Sequence, residues 1–225
     1  MKTKISTLII AFLLSFAVFG QTTCEAYYPF QVGVTFEITN YNKKGKKESV
    51  INYEVLSIEN NVATIQTYVY DAKDKEINNS SYNVTCDGNK ISIDFKSIIN
   101  AEMFKQYKDM DMDITGTNVE LPNDLQVGQT LKDAHMNMAI NMGGMTMNMR
   151  VDMSNRKVDK KESITTPAGT FDCFALSYDN ETKMGLKMQF KIKEWISEGV
   201  GVVRSESYNK NGKLMGYSEL TSFKK

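Results

Sequence analysis

Methionines occupy alternate positions between His135 and Met153, and this run is the part of the chain whose residue types could do unusual chemistry. It holds seven of the chain's 14 methionines, and Gly143-Gly144 divides it into two arms. Thioether sulfur is a soft ligand that suits Cu(I), and His135 adds an imidazole beside the first methionines. Alternate residues of a strand share one face. The residues of that face are Met136, Met138, Ile140, Met142, Met145, Met147, Met149, Val151 and Met153.

The alternation also allows a purely structural interpretation as an amphipathic β-hairpin. A two-residue turn at Gly143-Gly144 places Ile140 opposite Met147 and Met138 opposite Met149. The methionine face is then the only apolar face of the hairpin, and burying it stabilises the fold by about 1.5–3 kcal/mol per side chain. We therefore expect these residues to form core or to line a cavity, and we predict no metal site here.

A second candidate for metal chemistry is the acidic run Asp109–Asp113, followed by Glu120. Carboxylates at alternate positions approach the calcium-loop pattern, but Ile114 stands where that loop needs a glycine for its sharp turn. The alternation favours another strand instead, with Met110, Met112 and Ile114 facing inward.

The sequence offers little for catalysis. His135 is the only histidine, and it lies beside the methionine arm with no nucleophile motif such as G-x-S-x-G nearby. Glycine-rich phosphate loops, CxxC pairs and zinc-type spacings are also missing from the sequence. We expect a protein that is not an enzyme and needs no cofactor.

The N-terminus has the pattern of an export signal. Lys2 and Lys4 precede the apolar run Leu8–Phe19, which is too short to span a membrane, and Gly20 offers a cleavage point. We expect residues 1–20 to be a signal peptide and the protein to be periplasmic or secreted, with no transmembrane segment after cleavage. The chain has 27 Lys and Arg against 27 Asp and Glu, so losing the two signal lysines leaves a net charge of −2. That charge predicts no nucleic-acid binding.

Three cysteines fit an oxidising compartment, where one disulfide and one remaining thiol are expected. Sequence alone leaves the pairing open. We favour Cys24 with Cys86, because Cys24 lies on an N-terminal segment that would gain from a tether. Cys173 lies within an apolar strand pattern and is predicted to be a buried small hydrophobic residue.

Period-two alternation dominates the mature chain and predicts about ten or more short strands. The one convincing helical segment is Ser97–Tyr107, where Ile99 and Met103 recur at four-residue spacing. Many strands with one short helix and no linker favour an all-β, mainly antiparallel chain. We therefore predict a single β-barrel domain over residues 21–225.

Several stretches resemble the TapB-like exported proteins of Gram-negative bacteria, which carry a domain of unknown function. They are Tyr27–Phe30 with Gly33, Thr165–Asp172, and Trp195 with Glu198–Arg204. The resemblance implies a secreted or periplasmic antiparallel β-barrel, and it implies no catalytic residues.

The function that these patterns favour is binding of an apolar or amphipathic small molecule, lipid-like in character, in a cavity lined by the methionine face. Methionine's flexible and polarizable side chain adapts to ligands of variable shape. Two alternatives stay open: a periplasmic Cu(I)- or Ag(I)-binding protein that uses the methionine hairpin, and a purely structural protein of the cell envelope.

Overall fold

The computed structural model describes residues 27–95, 111–141 and 143–225, and in these ranges it shows strands joined by turns. The expected signal peptide, Cys24, the predicted helix Ser97–Tyr107, and the residues Met110 and Met142 lie outside the described residues. The strands are β1 (Thr35–Asn42), β2 (Lys47–Glu59), β3 (Val62–Asp71), β4 (Glu76–Cys86), β5 (Lys90–Ile93), β6 (Asp111–Gly116), β7 (Val119–Pro122), β8 (Ala134–Asn141), β9 (Thr146–Thr166), β10 (Gly169–Met184), β11 (Leu186–Ser197), β12 (Gly201–Asn209) and β13 (Leu214–Lys224).

The thirteen strands form one sheet in the order β6-β8-β9-β10-β11-β12-β13-β1-β2-β3-β4-β5-β7. Every neighbouring pair is antiparallel, which confirms the predicted all-β antiparallel class. β9 is one continuous strand of 21 residues, which contains the second methionine arm and the segment that follows it.

The predicted closed barrel is not confirmed, because the hydrogen-bonded order of the described strands ends at β6 on one side and at β7 on the other. These two end strands are nevertheless consecutive in the chain, joined only by Thr117 and Asn118. Two linking residues span about 10 Å at most. The sheet must therefore curl until its two ends meet at this short link, which we call the seam.

Hydrogen bonds fasten the seam to strands on both sides. The Thr117 amide donates to the His135 carbonyl at 2.9 Å, and the His135 amide donates to Thr117 Oγ1 at 3.0 Å. On the other side the Phe95 amide donates to Asn118 Oδ1 at 3.3 Å. The seam thus contacts the start of β8 and the residues just after β5.

Curling brings strands that are distant in the sheet order into one apolar interior. Leu121 of β7 packs in a cluster with Val158 of β9, Leu176 of β10 and Ile196 of β11. A second cluster joins β1–β5 and β13, and it includes fully buried Ile65. We call the face that carries these clusters the inner face.

The tightest backbone approach at the seam is at Gly116, the last residue of β6. A Cβ atom there would overlap the His135 carbonyl oxygen and would lie 3.1 Å from Met136 Cα. Since both are backbone atoms of the partner strand, a side chain at this position forces β6 and β8 apart.

We expect Gly116→Ala to lower the free energy of unfolding by about 1–3 kcal/mol, the usual cost of overpacking. Thr115→Ala, at the exposed neighbouring position, should change it by no more than about 0.5 kcal/mol. The midpoint of urea unfolding measures both. Equal midpoints for the two variants would show that the seam is not tightly packed.

Candidate functional site

The methionine hairpin forms with the register that its sequence predicts. β8 and β9 pair Met138 with Met149 and Ile140 with Met147. Gly143 and Gly144 both have positive φ, at 58° and 111°, as a tight hairpin turn requires. The hairpin therefore presents one continuous apolar face.

That face packs against β6 and other inner-face residues. Met112 and Ile114 of β6 contact the cluster, as predicted, and so do Phe95 and Met184. The alternating strand was thus the correct interpretation of the acidic run from Asp111 onward. Of the residues predicted to line a site, those that are buried are Met136, Met138, Ile140, Met149, Val151 and Met153.

Burial decreases towards the tip of the hairpin. Met147 is partly buried, whereas Met145 is 71% exposed, so the expectation that the whole face turns inward is wrong for Met145. The neighbouring hairpin, β10–β11, also carries exposed apolar residues near its tip. At the start of β11, Leu186 is 81% exposed and Met188 is 49% exposed. The apolar inner face therefore reaches solvent at this end of the sheet. We call Met145, Leu186 and Met188 the apolar rim.

His135 does not join the methionines. It lies between Ala134 and Met136, both buried on the inner face, so it points to the opposite face of β8. Its ring contacts Thr117 Oγ1 through Nδ1 at 3.4 Å. Within the described ranges no group of three or more His, Cys, Asp and Glu is placed to hold a metal ion.

Cys173 is buried and free, as its strand pattern predicts. Burial raises the pKa of its thiol to about 11, so the reactive thiolate is scarce at neutral pH. Cys86 is buried at the end of β4. Because Cys24 lies outside the described residues, the Cys24–Cys86 disulfide stays a prediction.

Sequence reasoning missed a polar group on the inner face, formed by Arg156, Tyr178 and Glu194. Arg156 is only 3% exposed, and its Nη1 donates to the carbonyls of Lys132 at 2.5 Å and Glu120 at 3.2 Å. Tyr178 donates its hydroxyl proton to Glu194 Oε1 at 2.8 Å. Burial raises the pKa of the Glu194 carboxyl, and the charge of Arg156 only partly offsets this.

A β-bulge places Arg156 on the inner face. The register between β9 and β10 shifts at this point, and Asn155 has a positive φ of 55°. The signal was present in the sequence: the apolar positions change from odd numbers up to Met153 to even numbers at Val158. Arg156 lies within this change of phase, at an even-numbered position like Val158. The sequence therefore indicates that a charged side chain faces the core there.

Two of the open clefts in the described part of the chain lie away from the methionine face. One, of about 430 Å³, is lined by residues of β9–β12 that include Asp179, Lys193 and Tyr208. The other, of about 410 Å³, is lined by residues of β1–β3 and β13 that include Tyr41 and Tyr70. Neither of these two clefts is lined by a residue of the methionine face. Since Met136, Met138 and Met149 are packed together and buried, a ligand at the methionine face would enter by displacing flexible side chains.

A single curled antiparallel sheet with an apolar interior defines the class of this protein, and its sequence defines the family. Residues 31–220 match the model of the DUF3108-like family, and the chain belongs to that family, whose function is unknown. The TapB-like resemblance is not confirmed as such, but a family of unknown function agrees with it. No curated protein matches the chain.

Two solved structures share the fold. One is from Bacteroides fragilis, provisionally named as an exported protein with a YmcC-like fold; it has 21% identity and a TM-score of 0.74, and the match covers 90% of this chain and 100% of that one. The other is from Parabacteroides distasonis, provisionally named as a lipoprotein, with 25% identity, a TM-score of 0.74, and 89% and 99% coverage. These names agree with an envelope location. The described part of the chain contains no helix long and apolar enough to cross a membrane.

The burial gradient along the hairpin predicts unequal costs for truncating two methionines. Met138→Ala should lower the free energy of unfolding by about 2–5 kcal/mol, because it removes a buried side chain from a packed cluster. Met145→Ala should change it by no more than about 0.5 kcal/mol. Urea unfolding followed by tryptophan fluorescence measures both, and a similar loss in the two variants would contradict the packing described above.

Proposed function

We propose that this chain is an exported, non-enzymatic protein that binds an apolar or amphipathic small molecule of lipid-like character along the methionine face. The observation that carries the proposal is the gradient of burial. Apolar side chains continue from the fully buried Met136, through partly buried Met147, to the exposed apolar rim. An acyl chain laid along this path would meet apolar surface throughout.

The free energy of burying apolar surface favours binding of a ligand at the apolar rim. Exposed large apolar side chains grouped at one end of a sheet are typical of interaction sites. Covering Leu186 or Met188 contributes about 1.5–3 kcal/mol for each side chain fully removed from water. Methionine has three rotatable bonds and a polarizable sulfur, so the partly buried Met147 and Met184 can adjust to an incoming chain at little cost.

The positions of the residues that could act as nucleophile or base agree with a role other than catalysis. Cys173 is buried with a raised pKa, and His135 faces away from the methionine cluster. The His135 ring contacts the Thr117 hydroxyl at 3.4 Å, and that hydroxyl also accepts the His135 backbone amide at the seam, so we assign this contact a structural role. We therefore propose binding rather than turnover.

A charge at the rim should weaken ligand binding. We expect Met188→Glu to weaken binding of a fluorescent fatty-acid probe about tenfold or more, because the carboxylate must be desolvated as the apolar chain covers it. The matched control is Met215→Glu on β13, where another exposed methionine lies two strands from β11. The control should change the dissociation constant less than about twofold.

Probe fluorescence on titration with the mature protein measures these constants. Equal weakening in the two variants would place the probe elsewhere. No probe binding by the wild-type protein would remove the proposal and favour a purely structural envelope protein with a solid interior.

A second candidate function, Cu(I) or Ag(I) binding, is favoured by one specific observation. Six thioethers share a single cluster, and Met138 and Met149 lie directly opposite each other. Soft sulfur ligands select Cu(I). The six are Met112, Met136, Met138, Met147, Met149 and Met184.

Titration with Cu(I) under reducing conditions against a colorimetric chelator tests this candidate. If copper binds here, the double variant Met138→Leu with Met149→Leu should bind at least about tenfold more weakly, since leucine keeps the volume and removes the sulfur. A wild-type dissociation constant no tighter than micromolar would eliminate the candidate.

A further inference from the structure

The buried guanidinium of Arg156 has unused hydrogen-bonding capacity inside the sheet. Its Nη1 group is used on two backbone carbonyls, but its Nε is buried and has no hydrogen-bond partner. A buried donor without a partner is costly, and a buried charge without a counter-charge is more so. Arg156 is only 3% exposed, so its Nε–H group is a buried donor that an added hydrogen-bond acceptor would satisfy.

The protein does not itself supply that acceptor among its described residues. No carboxylate of the described chain forms an ion pair with Arg156. Among the charged groups, Glu194 has the largest electrostatic effect on Arg156, but its carboxyl accepts a hydrogen bond from the Tyr178 hydroxyl. Burial raises the pKa of the Glu194 carboxyl, which weakens it as a counter-charge for Arg156.

Arg156 also lies at the inner end of the methionine face. Met153, three residues earlier on β9, packs in one cluster with Tyr178 and Ala134. The strand from Arg156 back to Met149 covers about 23 Å at the usual rise per residue. One acyl chain needs about 15 Å, half the thickness of a bilayer's hydrocarbon core. A head group at Arg156 thus leaves the tail on the methionines.

We propose that Arg156 binds the carboxylate of a fatty-acid-like ligand whose tail lies along the methionine face. This inference rests on the proposed function and names its ligand class. The planar guanidinium offers Nε–H beside a terminal N–H in the geometry that carboxylates match. Tyr178 keeps the Glu194 carboxyl engaged and away from the bound anion.

The test compares three ligands of equal chain length, a fatty acid, its methyl ester and its alcohol, by displacement of a fluorescent probe from the wild-type mature protein. We expect the acid to bind about tenfold or more tightly than the alcohol, as a charge-assisted hydrogen bond implies. The ester should bind like the alcohol, because it carries no charge.

Two variants test whether the preference for the fatty acid over the alcohol depends on Arg156. Arg156→Gln should bring the acid to the affinity of the alcohol while alcohol binding persists. Glu194→Gln, the matched control, keeps an acceptor for Tyr178 and removes a competing negative charge, so the acid preference should persist or grow. If Arg156→Gln fails to fold, the wild-type ligand comparison and Glu194→Gln still decide.

The outcomes separate the two proposals. Equal affinity for acid, ester and alcohol in the wild-type protein overturns the role of Arg156 and leaves the lipid-binding function standing. Loss of the acid preference in Glu194→Gln, with the protein folded, also overturns the role of Arg156. Failure of all three ligands to displace or replace the probe overturns the proposed function itself.

Discussion

The two-residue seam between β6 and β7 is the constraint on which the interior depends. Its residues, Thr117 and Asn118, join the two end strands of a thirteen-stranded sheet. Chain connectivity therefore requires the sheet to curl on itself. Hydrogen bonds to His135 and Phe95 hold the link, and Gly116 permits the close approach of β6 to β8. Without this junction the apolar face would stay open to water.

The same junction explains the position of the buried arginine. Sheet ends that meet without a continuous ladder leave backbone carbonyls unpaired, and buried carbonyls need donors. Arg156 supplies them to Glu120 of β7 and to Lys132 before β8. The bulge at Asn155 makes this reach possible. Arg156 therefore serves both the fold and the proposed function. Its Nη1 group binds two backbone carbonyls near the seam, and its Nε remains available to a ligand.

Local features of the sequence predicted local structure well. The Gly143-Gly144 turn and the alternation around it gave the correct register of the methionine hairpin, because register in a tight hairpin is set by neighbouring residues. The strand within the acidic run was correct for the same reason. β7 was missed, since a four-residue strand ending at Pro122 has almost no periodic signal.

The site was less predictable because it depends on contacts between distant segments. The exposure of Met145 and Leu186 follows from how far two hairpins extend beyond their neighbours, which alternation does not encode. Arg156 meets Tyr178 and Glu194 through the pairing of the neighbouring strands β9, β10 and β11. It reaches the Glu120 carbonyl of β7 only because the sheet curls. Its change of strand phase was visible in the sequence, but its partners were not.

Native mass spectrometry of the mature protein, purified from the envelope or secreted fraction of its own host, measures most directly whether the protein carries a fatty-acid-like ligand. We predict a mass that exceeds that of the polypeptide by one small molecule, which is released on unfolding and proves to be an amphiphile with a carboxylate. A bare polypeptide mass in such preparations, unchanged after incubation with fatty acids, would contradict it.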